Sequence, residues 1–103
     1  MTKLQTLKEY LQSKDIYYRQ DEAIHCELAK NITIYYPEND TTVTTKTKRV
    51  VFHESHCFID DYQYGWEIVP TRENSAVRLW IVAGVGTFFE LEAEKFKKVL
   101  DKE

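Results

Sequence analysis

The chain has 103 residues, with 14 basic against 17 acidic side chains and a net charge of −3. That length predicts a single domain over residues 1–103 with one hydrophobic core. The charge balance argues against a nucleic-acid binder, which gains most of its affinity from a broad basic footprint, and no apolar run reaches the ~20 residues that a membrane-spanning helix needs.

The polar start of the chain, Met1 to Tyr10, has no apolar signal-peptide region. This predicts a cytoplasmic protein in which Cys26 and Cys57 are reduced thiols rather than a disulfide. The first element reads as a helix. Thr2 and Gln5 have capping-box spacing, and Leu4, Leu7 and Leu11 form one stripe that ends near Ser13 or Lys14. At about three turns it needs a surface to dock on.

From Ile16 to Tyr36 the apolar period becomes two, with Ile24, Cys26 and Leu28 on one face and Ile32 and Ile34 in the next run. Residues 37–40, Pro-Glu-Asn-Asp, read as a turn, because Pro presets φ and Asn and Asp accept turn geometry. Thr41 to Phe52 reads as one long strand, polar on both faces at its start and therefore an edge or overhang. His53 to His56 reads as a turn or bulge, followed by strand pieces at Cys57–Ile59 and Gly65–Val69 that stop at Pro70. Ala76 to Ala83 is the most apolar strand and is placed at the sheet centre. Gly84 and Gly86 then interrupt the chain; without a third glycine or a βαβ context they read as a bend, not a nucleotide loop. Residues 90–102 read as a second helix, with Ala93, Phe96, Val99 and Leu100 on one stripe and acidic residues leading basic ones along the dipole. The expected fold is therefore α+β: an N-terminal helix, an antiparallel meander of about five strands, and a C-terminal helix, with both helices packed on the sheet.

Three groups of residues could carry function. All the histidines and cysteines lie in two segments, so His25 (or Cys26), His53, His56 and Cys57 could supply four zinc ligands, although no paired C-x₂-C spacing is present. Cys57 could alternatively be a nucleophile beside a His base. Lys46, Lys48 and Arg49 form a short basic stretch that could contact single-stranded nucleic acid among aromatic platforms. Tyr35, Tyr62, Tyr64 and Trp66 are the candidate interface residues, since Tyr and Trp bury large areas at low entropic cost. The carboxylates of Glu54, Asp60, Asp61 and Glu67 read as solvated loop residues.

The leading expectation is a non-enzymatic module that binds another protein or itself, of the inhibitor, immunity or accessory-regulator kind, with no cofactor. The alternatives are a metal- or thiol-dependent small enzyme using the His and Cys residues, and a single-stranded nucleic-acid binder.

Overall fold

The computed structural model describes residues 2–70, 75–82 and 87–99. The one α-helix among these residues, α1 (Lys3–Ser13), begins with the capping box expected from the sequence: the Thr2 side chain accepts from the Gln5 amide, and the Gln5 side chain accepts from the Thr2 amide. Nine strands follow: β1 (Tyr18–Gln20), β2 (Ile24–Glu27), β3 (Thr33–Tyr36), β4 (Thr41–Thr44), β5 (Arg49–Phe52), β6 (Cys57–Ile59), β7 (Tyr62–Pro70), β8 (Ser75–Ile81) and β9 (Phe88–Glu92). Seven of them form one antiparallel sheet in the order β1-β2-β5-β6-β7-β8-β9, and β3 and β4 form a separate hairpin inserted between β2 and β5.

The α+β expectation is corrected to a mostly β fold, with one α-helix among the described residues. Over residues 90–99 the stretch taken for a C-terminal helix is instead the end of β9, a 3₁₀ turn over Ala93–Lys95, and a segment extended at Phe96 that makes isolated bridges at Phe96 and Lys98; residues 100–102, with Leu100 of the expected stripe, lie outside the described residues. Phe89 and Leu91 alternate inward from β9 and face Leu79 and Val77 of β8. Period two wins because a three-turn helix is marginal by itself, whereas a strand laid on β8 satisfies its backbone at once. Beyond the 3₁₀ turn the chain is hydrogen-bonded back to the start of the sheet. The Ala29 amide donates to the Lys95 carbonyl (2.8 Å), the Lys97 amide to Glu27 (2.8 Å), the Tyr17 amide to Lys97 (3.0 Å) and the Val99 amide to Asp15 (2.8 Å). The sheet thus curls round until its last strand leads back to its first two.

Two further expectations change. The run from Thr41 to Phe52 is two strands, β4 and β5, belonging to different sheets. Residues 45–48 break it because the Asp60 carboxylate accepts from the Lys46 and Thr47 amides there (2.7 and 2.9 Å). The strand from Ala76 is paired on both sides but lies next to the last strand, and the middle of the order is β6. The glycine bend at Gly84 and Gly86 lies outside the described residues.

The core is built from alternate residues of every long strand. Ile24 and Cys26, Val50 and Phe52, Cys57 and Ile59, Tyr64 and Trp66, and Val77 and Leu79 share one buried cluster with Leu7, Tyr10 and Leu11 of α1. Burying such side chains stabilises by about 1.5–3 kcal/mol each, which fixes the pleat and hence which residues point outward. The turn after β5 joins helix to sheet: Glu54 accepts from the Lys3 and Leu4 amides at the positive end of α1 (2.7 and 3.4 Å). No helix among the described residues is long and apolar enough to cross a membrane.

Candidate functional site

The outward face of the sheet carries the side chains available for chemistry or binding, and the strand register sorts them into rows. One row runs Arg19, His25, Val51, Phe58 and Gln63 across β1, β2, β5, β6 and β7. Further along the sheet, Gly65 pairs with Trp80 and Trp80 with Phe88, while Glu67 pairs with Arg78 and Arg78 with Glu90.

The second pair of rows makes a defined cluster. A Cβ on Gly65 would fall 2.2 Å from the Trp80 ring, so the indole lies directly over the glycine backbone. Only a residue without a side chain permits that approach. Phe88, the register partner of Trp80, is 53% exposed, and Val82, just after β8, is 60% exposed. The Arg78 guanidinium sits over the Phe88 ring at 4.5 Å to the centroid. It is also held by Glu90 through an ion pair of 2.9 Å. Two aromatic register partners and an arginine therefore share one patch on β8 and β9, with the exposed Val82 just beyond β8.

The four aromatic residues singled out from the sequence divide by burial: Tyr62 shares the inward parity of Tyr64 and Trp66 but lies at the open end of β7, and Tyr35 is on the separate hairpin. Tyr64 and Trp66 point inward and are core residues, 1% and 0% exposed. The Trp66 indole donates to the His53 and His56 carbonyls (2.8 and 3.2 Å), pinning that turn to the core. Tyr64 shares a hydroxyl hydrogen bond with Tyr36 of the hairpin, and burial is the first cause that pushes its phenol far above the ordinary value. Tyr35 and Tyr62 are exposed, Tyr35 donating to Asp40 (2.9 Å) and Tyr62 lying 5.8 Å from the Tyr36 ring.

The proposed zinc ligands separate in the same way. His53 and His56 stack, with ring centroids 4.9 Å apart, and both meet the Phe58 ring edge-on at 5.8 and 5.3 Å. Cys57 points to the opposite face into the core, and His25, two strands away from Phe58 in its row, is held by Asp21 at 3.0 Å. Among the described residues no three His, Cys, Asp or Glu side chains converge as a metal site. Burial pushes the Cys26 thiol up to about 12 and the Cys57 thiol higher still, so both remain protonated and shielded from solvent in the fold.

Of the basic stretch, Lys46 and Arg49 reach one cleft, together with Arg19 and His25, whereas Lys48 is not among its lining residues. Two carboxylates read as merely solvated have structural roles: Glu54 caps α1, and Asp60 organises the 45–48 loop. Missing from the candidate interface residues were Gly65, Phe88, Arg78 and Trp80, the last of which reads from the sequence only as one of several possible stacking platforms. Their only sequence signal as a cluster is Gly65 inside a strand pattern, which marks a close approach without naming what approaches.

Compared with known protein families, with curated proteins and with solved structures, the chain matches none.

Proposed function

We propose that this chain is a non-enzymatic protein-interaction module that docks a partner protein on the outward face of β7, β8 and β9. The observation that carries the reading is the Trp80–Phe88–Arg78 cluster seated over Gly65. Tryptophan and arginine are the residue types that dominate interface energetics. Here they are held in place before any partner arrives, Trp80 by its contact with Gly65 and Arg78 by Glu90. Binding through them therefore loses less side-chain freedom than binding through mobile groups, which raises the affinity obtained from a given area. Glu67, Arg78 and Glu90 form a row of both signs of charge along one side of the apolar residues, supplying a polar flank that sets orientation and specificity.

Phe88→Asp tests this reading. The side chain is half-exposed, so the variant keeps the native circular dichroism spectrum and unfolding midpoint. A partner retained by the wild-type protein in affinity purification should bind the variant at least ~30-fold more weakly, the loss that accompanies removal of a hot-spot residue. Equal affinity of wild type and variant for every retained partner overturns the assignment of this face.

A further inference from the structure

A second feature of the outward face lies at the other end of the sheet and is independent of the docking patch. Arg19 of β1, His25 of β2, Arg49 and Val51 of β5, Phe58 of β6 and the loops bearing Lys46 and Asp60 enclose an open cleft of about 380 Å³. That volume is in the range of small-molecule sites. We propose that this cleft binds a small organic phosphate, a phosphomonoester with a flat apolar portion.

Three fixed cations, Arg19, Lys46 and Arg49, stand against two carboxylates, Asp60 and Asp61, in the cleft lining, so fixed positive charge is in excess. Asp60 is engaged: it accepts from the Lys46 amide (2.7 Å), the Thr47 amide (2.9 Å) and the Thr47 hydroxyl (2.7 Å). Asp21 takes His25 at 3.0 Å and Arg19 at 3.6 Å. Glu27, the register partner of Arg49, is turned to Lys97 at 3.7 Å. Asp61 is exposed to water at the rim. Among the described residues, Lys46 and Arg49 have no ion-pair partner within 4.0 Å. Lys46 helps to hold the Asp60 carboxyl low, Arg49 is a guanidinium whose planar fork matches phosphate oxygens, and Arg19 lies beside it on an exposed ion pair of little intrinsic strength.

Between the cations, Val51 and Phe58 are register partners and form an apolar strip. The His53 and His56 rings meet Phe58 edge-on at 5.8 and 5.3 Å. Cations around an apolar aromatic strip fit a ligand with a charged end and a ring better than a bare inorganic ion. A nucleic-acid strand needs a continuous basic track, and here Asp21, Asp60 and Asp61 interrupt it.

The experiment is a titration of the ¹⁵N-labelled protein with phenyl phosphate, with inorganic phosphate, phenol and a single-stranded oligonucleotide as comparators. Amide shifts centred on Lys46, Thr47, Val51 and Phe58 are expected, saturating at lower concentration with phenyl phosphate than with inorganic phosphate or phenol. Arg49→Gln and Lys46→Gln, each an exposed position, should weaken phenyl phosphate binding by about tenfold while leaving the remaining spectrum unchanged, as expected for loss of one charge-assisted hydrogen bond. Absence of shifts at millimolar phenyl phosphate overturns the proposal. So do equal responses to phenol, binding unaffected by both substitutions, or a response to the oligonucleotide alone.

Discussion

At the scale of single residues, the docking face depends on an atom that is not there. Gly65 has no Cβ, and the Trp80 indole occupies the space where one would stand. Gly65→Ala must therefore move either the ring or the backbone, and the ring, only partly buried on the outer face, is the part able to move. We expect a loss of about 1–3 kcal/mol, the range for an inserted methylene group in a packed site. A red shift in tryptophan emission should accompany it as Trp80 enters water. Trp66, fully buried on the other face, supplies a constant background. An unchanged emission spectrum with unchanged stability would show that the indole does not rest on the glycine.

At the scale of elements, a carboxylate sets where one strand stops and the next begins. Asp60 sits at φ 55 in the turn between β6 and β7, a left-handed conformation that Asp tolerates better than most residues. From there it organises the loop between β4 and β5. Partial burial tends to raise its pKa, but the hydrogen bonds from Lys46 and Thr47 outweigh this and hold it below the ordinary carboxylate value. A depressed folded-state pKa gives a contribution that is complete above the unfolded value of ~3.9 and is lost as pH falls through the folded value. Asp60→Asn keeps the turn conformation and removes the charge. It should cost about 1 kcal/mol at neutral pH, the low end for charged hydrogen bonds because the group is near solvent. The wild-type advantage should shrink toward about pH 3 in urea-unfolding midpoints. An advantage that is the same at both pH values would assign the role to geometry and not to charge. Asp21, also depressed, by the Ala23 amide first and His25 second, contributes with the same sign and is present in both proteins.

At the scale of the whole molecule, the fold closes through residues far apart in the chain. Phe96 is 1% exposed, pairs with Leu28, and belongs to the same buried cluster as Leu7 and Leu11 of α1. Phe96→Ala should destabilise by about 3–5 kcal/mol, measured by denaturant unfolding. Hydrogen exchange should accelerate first at the Tyr17, Ala29 and Lys97 amides, whose bonds make the closure. A loss below ~0.5 kcal/mol would mean that the closing segment contributes little to the core.

Local signals made part of this legible in the sequence. The capping box of Thr2 and Gln5, the Leu7 and Leu11 stripe, the turn at 37–40 and the inward alternation of Ile24 and Cys26 could be read directly, because each depends on residues within a few positions of one another. The tertiary structure decided the rest. Residues 90–99 carry a helical stripe and a strand alternation at once, and the free backbone of β8 and the gap between Asp15 and Leu28 select the strand. Thr41 to Phe52 shows no local break, because its break is made by a carboxylate from residue 60. Tyr64 and Trp66 resemble surface anchors by type and are buried by parity, while Trp80 and Phe88 belong to an apolar run and are turned outward by the same rule. A one-residue difference in register exchanges core for surface, and register is set by the partner strands, not by the strand itself.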